Sequence, residues 1–411
     1  MNTTTPQPMH DETLIVGAGP VGLTSALALR AQGRSVTVLE AELEGRSRPG
    51  SRAIFVHKES LKLLEALRPG LGKEIASHGL VWPTKRTFWR GHLVFIRHYP
   101  TPDPGIIPPF TSLPQVEIER YLLDACKEAG VTFAWNTPVS KVETIPEGVT
   151  ITTKSGQVWT ANYVIAADGA RSVVRSSLGI EMEGSRSKNS YIVVDVANDP
   201  DHPLELSRDF HYGHRGVGGR NVLLVPFVGG WRVDLQCRDD DDPEAFSGME
   251  GVRRWLPKVI PASYADRVSW VSTYQFLQVL AHEFTDQHRR VLLVGEAAHL
   301  FAPFGARGMN SGIADAVAAA TAIDGALKTS KPEDADRAIA EFARTRYSAA
   351  EYNRAAAGQA LAHMQKRSPG MLLKRELAAL AAPFWPRAGV WLDSGPYGPR
   401  SGPAGQAAGK Y

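Results

Sequence analysis

Two glycine-containing stretches far apart in the chain have the composition of ligand-binding turns. The first, LIVGAGPVG, occupies Leu14–Gly22, and the second, VLLVGEAAHLFAPFGARGMNSGIADA, occupies Val291–Ala316. Each places a loop with glycines between an apolar strand and a helix, so backbone N–H groups at the helix start can bind an anion. The sequence therefore raises the question of why one protein has two such stretches.

The first stretch has the spacing of a dinucleotide-binding turn. The turn consists of Gly17, Gly19, Pro20, Val21 and Gly22. The first glycine permits the tight turn, the second lets the backbone approach a pyrophosphate, and the third lets helix and strand pack closely. Glu40 follows the second strand, where an acid can accept a hydrogen bond from a ribose hydroxyl. The pattern predicts NAD or FAD as the ligand, the alternative being a plain β–turn–α unit.

The second stretch favours FAD over NAD. FAD continues past its pyrophosphate through a ribityl chain to a flavin, which a distant part of the protein must hold. Gly295 and Glu296 follow a strand, and the Glu296 carboxylate can accept hydrogen bonds from ribityl hydroxyls. We expect a loop over Pro303–Asn310 and a helix from near Ser311, with the N–H groups of Gly308, Met309 and Asn310 directed at the flavin.

A third motif extends the pattern to a known family. Asp168 and Gly169 follow the apolar strand of VIAADGARSVVRSSLG. With all three motifs the chain resembles the single-component FAD-dependent aromatic hydroxylases of the p-hydroxybenzoate hydroxylase class. The resemblance covers residues 12–330, and WLDSGPYGP at 391–399 is a weaker similarity to the phenylpropionate-hydroxylase-like branch, without its C-terminal thioredoxin-like domain.

The resemblance implies roles for individual residues. Positions that match FAD contacts of the family are Gly17, Gly19, Gly22, Glu40, Arg52, Gln115, Val139, Asp168, Gly169, Gly295 and Glu296. Asp168-Gly169 matches a motif that also serves the transient NADPH or NADH. Three positions depart from the family pattern: Glu296 replaces an aspartate, Ala41 a basic residue, and Arg307 a glutamine.

Catalytic candidates lie where the family's chain passes the substrate. His57 titrates near neutrality and could take a phenol proton, with Arg52 as a nearby fixed charge, although a structural His57 is the alternative. Gln278 shares one strand face with Tyr274 and Phe276, which predicts either a cavity wall or ordinary core. The acidic run Asp239–Asp242 is read as a solvated turn, and no metal site is expected.

The resemblance implies an FAD-dependent monooxygenase that uses NADPH or NADH and O2 to hydroxylate an aromatic or phenolic small molecule, such as a polyketide intermediate, through a flavin C4a-hydroperoxide. Two alternatives stay open. One is a reductase or dehydrogenase of the same superfamily, which would act without O2. The other is a dinucleotide-binding protein without turnover.

The elements that must position these residues predict an α/β fold. We expect a Rossmann-like FAD-binding domain of residues 12–180 and 283–330, interrupted by a largely antiparallel substrate domain at 181–282. A helical region at 331–394 and a flexible tail at 395–411 would follow. The chain has 411 residues, with 46 basic and 43 acidic ones. This balance predicts no nucleic-acid partner, and no apolar run predicts a membrane span or leader. The expectation is a cytoplasmic monomer or homodimer.

Overall fold

The computed structural model describes residues 9–46, 49–103, 105–365 and 368–398. Its strands are β1 Met9–Val16, β2 Thr37–Leu39, β3 Phe55–His57, β4 Thr84–Trp89, β5 His92–His98, β6 Phe110–Ser112, β7 Thr132–Ala134, β8 Val139–Ile145, β9 Gly148–Thr153, β10 Val158–Ala166, β11 Met182–Ala197, β12 Ser207–His214, β13 Arg220–Phe227, β14 Gly230–Gln236, β15 Val268–Ala281, β16 Val291–Leu293 and β17 His299–Leu300. Its helices are α1 Pro20–Ala31, α2 Lys58–Leu67, α3 Leu71–His78, α4 Gln115–Glu128, α5 Val173–Ser177, α6 Glu244–Ser247, α7 Met249–Trp255, α8 Arg307–Lys328, α9 Pro332–Gln365, α10 Pro369–Ala381 and α11 Pro386–Ser394.

A seven-stranded sheet brings the sequence motifs to one edge. Its order is β7-β2-β1-β10-β9-β8, and β16 also pairs with β10. The strands β2, β1, β10 and β16 are parallel, and Leu39, Val16, Ala166 and Leu293 are neighbours in register. Glu40, Gly17, the Asp168 loop and Gly295 therefore follow the carboxyl ends of adjacent strands, where ligands bind in open α/β sheets.

Helices α1 and α8 pack closely beside this edge. An ideal Cβ added at Gly312 would lie 2.5 Å from a methyl carbon of Val21, and one added at Gly22 would lie 1.9 Å from the carbonyl oxygen of Gly17. Neither position has room for a side chain. Glycine at Gly22 thus allows α1 to pack against its own turn, and glycine at Gly312 allows α8 to approach α1, which joins the first and second glycine-containing stretches in space.

A second sheet has eight strands in the order β17-β15-β11-β14-β13-β12-β4-β5. Apolar residues such as Ile192, Val194 and Leu235 form a core on one face with Val252 and Trp255 of α7. The opposite face carries aromatic and polar residues. Strands β4 and β5 belong to this sheet, although the sequence assigns residues 84–98 to the FAD-binding range, because β4 pairs in parallel with the distant β12.

Other boundaries also differ from the sequence expectation. Helix α8 begins at Arg307 rather than near Ser311, so the predicted loop Pro303–Asn310 ends inside its first turn. Residues 395–397, expected in a flexible tail, form a 3₁₀ turn that packs against α9, and residues 399–411 lie outside the described part of the chain. Within the described ranges, every helix is too short or too polar to cross a lipid bilayer.

Candidate FAD and substrate site

The first glycine turn has the geometry that a pyrophosphate needs. Gly17 has a φ of +103° and its N–H donates to the Leu39 carbonyl over 2.9 Å. Gly19 caps the N-terminus of α1, and an ideal Cβ there meets no heavy atom within 4 Å. The backbone at Gly19 therefore borders open space at the positive end of the helix, where a phosphate fits. Pro20 and Val21 form the first turn of α1.

Glu40, predicted to accept a hydrogen bond from a ribose hydroxyl, already has protein partners. Its Oε2 accepts from the Ala18 N–H over 2.6 Å, and its Oε1 lies 2.6 Å from Nη1 of Arg46. Burial raises the pKa of Glu40, but the hydrogen bonds from Arg46 and from the N–H groups of Ala18 and Glu42 outweigh it, so the pKa is below its ordinary value. An ionised carboxylate keeps acceptor positions for a ribose hydroxyl.

Arg46 places a cation beside Glu40, although the sequence has no basic residue at position 41. Its Nη2 donates to the Ala18 carbonyl over 2.7 Å, so the guanidinium spans the first turn and Glu40. Ala41 itself is exposed. Sequence reasoning missed Arg46, because only the fold shows that the loop after Ala41 returns to the glycine turn.

The Asp168 side chain stabilises the Asp168-Gly169 loop through hydrogen bonds. Asp168 accepts from the Ser172 hydroxyl over 2.5 Å and from the Val174 N–H over 3.0 Å, which caps α5. Burial raises the pKa of Asp168. Gly169 has a φ of +80° and borders open space. The Asp168 side chain thus positions the loop, and Gly169 presents backbone to the cleft.

The Gly295-Glu296 turn is fixed from behind by a buried charge network. The Gly295 N–H donates to Asp315 Oδ2 over 3.1 Å, and the same oxygen lies 2.6 Å from His299 Nε2. Arg346 of α9 donates from Nε to Asp315 Oδ1 over 2.6 Å. Burial raises the pKa of Asp315, but the charges of Arg346 and His299 outweigh it and lower the pKa to about 2. Glu296 is exposed beyond this turn.

The start of α8 forms the far wall of the cleft. An ideal Cβ at Gly308 meets no heavy atom within 4 Å, so the first turn of the helix borders open space. Asn310 points away from that space, because its Nδ2 donates to the carbonyls of Phe55 and Ala306 and its Oδ1 accepts from the His57 N–H. Met309 packs against the main core, and Pro303 is exposed.

The surroundings of His57 favour a structural role over a role as a base. The residue is 8% exposed, and its Nε2 lies 3.0 Å from the Gly305 carbonyl, to which a protonated Nε2 donates. Burial, with a contribution from the charge of Arg307, lowers the pKa of His57 to about 4. Its ring is therefore neutral at pH 7 and fastens the loop before α8, which favours the structural alternative over the expected titration near neutrality.

Arg52, Gln115 and Val139, predicted to contact FAD, lie in three separate segments of the fold. Arg52 is exposed with a φ of +51°, and Gln115 begins α4, where its Oε1 accepts from the Ala53 N–H over 3.4 Å. Val139 is buried at the start of β8. The adjacent Ser51 donates from both its N–H and its hydroxyl to Asp195 of the second sheet. This contact ties the Arg52 segment to the second sheet.

An aromatic cluster faces the loop before α8. The rings of Tyr191 and Phe276 lie 4.4 Å apart, and Phe304 contacts both, at 5.8 and 5.6 Å. The Tyr191 hydroxyl is buried and has no hydrogen-bond partner among the described residues. Burial raises the pKa of Tyr191, so the phenol stays protonated. The alternation that singles out Phe276 could have suggested this face, but nothing in the sequence singles out Tyr191.

Gln278 lies on the same strand but not in this cluster. The side chain is 8% exposed, and an ideal Cβ at Gly358 of α9 would lie 3.5 Å from its Oε1. Its surroundings are therefore a helix–sheet contact. Of the predicted catalytic residues, His57 contacts the Gly305 carbonyl and Gln278 lies against α9, whereas Tyr191, Phe276 and Phe304 pack together.

Comparison with known proteins agrees with this cleft. A family model described as an FAD binding domain matches residues 11–349, and the chain belongs to that family. The expected family and its cofactor FAD are thus confirmed. The crystal structure of p-nitrophenol 4-monooxygenase from Pseudomonas putida DLL-E4 matches with a TM-score of 0.76 at 24% identity, covering 96% of this chain and 100% of that one, which supports the α/β fold.

Three curated relatives illustrate the range of the family. Para-nitrophenol 4-monooxygenase of Pseudomonas sp. (strain WBC-3) is 30% identical, covering 77% of this chain and 79% of its own. The 6-methylpretetramide 4-monooxygenase of Streptomyces rimosus is 31% identical over 76% of this chain and 55% of its own. Dialkyldecalin synthase of Streptomyces rugosporus is 26% identical over 75% and 64%. The chain thus spans little more than half the length of several relatives it matches.

Proposed function

We propose that this protein is an FAD-dependent monooxygenase that uses NADPH or NADH and O2 to hydroxylate an aromatic small molecule. The observation that carries the proposal is that two features of the structure lie next to each other. The cleft that suits FAD ends at the start of α8, and the Tyr191–Phe276–Phe304 cluster lies directly beside that end. An aromatic ring can be held there by stacking and edge-to-face contacts.

The residues of the cleft fit FAD at both ends. Gly19, Gly169 and Gly308 come from three separate motifs, and an ideal Cβ at each would protrude into open space. The first turn and α1 would hold the pyrophosphate, Glu40 and Arg46 would hold the adenosine ribose, and the Gly295-Glu296 turn would hold the ribityl chain. When bound, FAD supplies hydride acceptance from NAD(P)H and the activation of O2.

The protein's own contribution is to orient the substrate and exclude water. The Tyr191 hydroxyl, protonated and buried, donates a hydrogen bond to a substrate oxygen in this proposal. His57 and Asn310 hold the loop before α8 in place. In the absence of a titrating base at His57, the substrate's hydroxyl group is oriented by Tyr191 rather than deprotonated by His57.

One relative is named a dialkyldecalin synthase, so FAD binding alone does not establish oxygen transfer. The test therefore has three readouts. Purified protein is examined for bound FAD by its visible spectrum, NAD(P)H oxidation is followed with and without a panel of phenols, and products are analysed after incubation with ¹⁸O₂. We expect bound FAD, faster NAD(P)H oxidation with an accepted phenol, and one ¹⁸O atom in the product.

The open alternatives predict different results from the same experiment. A reductase or dehydrogenase would change the substrate under anaerobic conditions and incorporate no label. A binding protein without turnover would contain FAD but oxidise no NAD(P)H with any compound. Either result would contradict the monooxygenase proposal. We also propose that the protein is cytoplasmic and that it is a monomer or a homodimer. Cell fractionation can measure the first property and light scattering the second.

A further inference from the structure

Helix α10 and the turn after it present a row of large apolar side chains that the described part of the chain leaves largely uncovered. The exposed fractions of these residues range from 57% to 90%, and the row consists of Leu373, Leu377, Leu380, Phe384 and Trp385. Spacings of three and four residues place the three leucines on one side of the helix, and the two aromatic residues extend the row past its C-terminus. We call this row the apolar stripe.

The other side of α10 is the one that packs on the protein. Ala378 and Ala379 lie against a core that includes Trp89 and Tyr212, and Ala382 is buried in the same core. A surface helix of a globular protein usually directs its large apolar residues inward and polar ones outward. Helix α10 instead has small residues inside and large apolar residues outside, so the packing of the fold does not account for the apolar stripe.

The composition of the apolar stripe is typical of a helix that lies on a lipid surface. Single exposed apolar residues are ordinary, whereas a continuous exposed row indicates contact with another body. Leucine and phenylalanine on one face of a helix enter the boundary between lipid headgroups and acyl chains. Tryptophan is enriched at the same depth, because its ring is apolar and its N–H is polar. Trp385 has this place at the end of the stripe.

The charges that border the apolar stripe are mainly positive. Lys374 and Arg387 are both exposed, and the Nζ of Lys374 lies 4.8 Å from the centre of the Trp391 ring. The acid on this helix, Glu376, lies 3.4 Å from Nη1 of Arg90, and this ion pair has no net charge. Lys374 and Arg387 are therefore left as the uncompensated charges beside the stripe.

The whole segment around the apolar stripe has the same sign of charge. Residues 366–398 contain five Lys or Arg residues and two acidic ones. The second acid, Asp393, is buried and lies 2.7 Å from Nζ of Lys85 in β4, so it does not face the surface of the stripe. An anionic surface is thus the electrostatic complement of this part of the molecule.

Charge also argues against a second copy of the chain as the occupant. In a two-fold symmetric dimer the same surface patch faces itself. Two apolar stripes in contact would bring Lys374 and Arg387 of one copy close to the same residues of the other. Among the described residues that border the stripe, the one exposed acid is Glu376, which already pairs with Arg90. A bilayer with anionic headgroups offers both an apolar layer and the opposite charge.

We propose that the apolar stripe docks on the surface of an anionic lipid bilayer, with α10 lying parallel to the membrane plane. The leucines, Phe384 and Trp385 enter the headgroup boundary, while Lys374 and Arg387 extend to the lipid phosphates. The contact involves one face of a bilayer and no spanning segment, in line with the sequence expectation. The inference goes beyond the proposed hydroxylase function and does not depend on it.

The first experiment measures lipid binding by the FAD-loaded protein. The protein is mixed with vesicles of phosphatidylcholine, or of equal parts phosphatidylcholine and phosphatidylglycerol, and vesicle-bound protein is separated by flotation. We expect binding to the vesicles that contain phosphatidylglycerol and much weaker binding to neutral ones. Salt at about 1 M should weaken the binding, because it screens the attraction between exposed charges.

The second experiment locates the contact with matched variants. Phe384→Ser and Leu377→Ser should each lower the vesicle partition coefficient about tenfold, since each loses an apolar side chain from the lipid. Their control is Ile145→Ser on β8, because Ile145 is exposed to the same 57% as Leu377. Arg387→Glu should lower the partition coefficient about fivefold or more, and Lys62→Glu, exposed on α2, should leave it unchanged.

Urea unfolding and FAD content are measured for every variant, so a loss of binding can be separated from a loss of folding. Unchanged partition in both serine variants, or equal binding to neutral and anionic vesicles, would overturn the proposal. Absence of vesicle binding would overturn it as well, and light scattering would then identify the occupant. A dimer that Phe384→Ser converts to a monomer would assign the stripe to a second copy, and a wild-type monomer would assign it to another protein.

Discussion

The proposed FAD end and the proposed substrate end of this molecule differ in whether backbone or side chains form their surface. At the proposed FAD end, the surface is formed mainly by backbone at the carboxyl ends of four adjacent parallel strands, with glycines where a side chain would intrude. At the proposed substrate end, the surface is formed by side chains such as Tyr191 and Phe276, which project from strands that pair across long sequence separations.

This difference explains which amino-acid substitutions each end can accept. A backbone site depends on a few glycines and on strand register, so most substitutions nearby leave it intact. A side-chain wall changes with each substitution, while the sheet that carries it remains. This is consistent with relatives that bear names as different as para-nitrophenol 4-monooxygenase and dialkyldecalin synthase.

The largest effect is expected from the charge network around Asp315 that holds the Gly295-Glu296 turn. Asp315→Asn leaves Arg346 and His299 without their buried carboxylate, and breaking such a pair typically costs about 3–5 kcal/mol. We expect this loss in the free energy of unfolding by urea, together with weaker FAD binding. Asp334→Asn, at an exposed ion pair of α9, is the control. A loss no greater than that of the control would show that backbone alone fixes the turn.

Gly19→Val separates cofactor binding from folding. An ideal Cβ at Gly19 meets no protein atom and the residue has an ordinary φ of −77°, so we expect the apoprotein to fold. The side chain would block the pyrophosphate and its charged hydrogen bonds, which predicts a rise in the Kd for FAD of about 100-fold or more. Gly370→Val, at another glycine without neighbours, should leave FAD affinity unchanged. Full FAD occupancy in Gly19→Val would place the pyrophosphate elsewhere.

A variant of His57 tests whether this residue, which contacts the loop before α8, has a structural role or acts as a base. Folding lowers its pKa from 6.5 to about 4, so the unfolded chain binds more protons between these values. Stability from this residue is thus present above pH 6.5 and is lost as pH falls toward 4, by up to about 3 kcal/mol.

The measurement is the free energy of unfolding from pH 7 to pH 4 in wild type, in His57→Gln and in the exposed control His282→Gln. We expect a shallower slope only in His57→Gln. Its hydroxylation rate should keep the wild-type pH profile near neutrality. Loss of a limb near pH 6.5 in that variant would instead restore His57 as the substrate's base.

The smallest effect is expected at the substrate end. Tyr191→Phe removes one hydroxyl and keeps the ring packing with Phe276, so FAD affinity and stability should be nearly unchanged. We expect kcat/KM for an accepted phenol to fall about tenfold, the value of one hydrogen bond of about 1.4 kcal/mol. Tyr347→Phe in α9 is the control. An unchanged kcat/KM would remove Tyr191 from substrate recognition.

The sequence by itself determined the FAD turns and the α/β class. Gly17-x-Gly19-x-x-Gly22 and Gly295-Glu296 are local patterns, and each needs only its own strand and helix to acquire its geometry. The register of four parallel strands then brings the motifs together, and this requires no specific contacts between their side chains.

Only the tertiary structure decided which side chains meet. Arg46 lies beside Glu40 and the Ala18 carbonyl because its loop returns to the first turn. His57 loses its expected basicity because the fold buries it against Gly305. Tyr191, Phe276 and Phe304 come from three segments that are separate in the chain, and no spacing relates them. Local patterns fix backbone conformation, whereas burial and long-range strand pairing fix the surroundings, and hence the chemistry, of each side chain.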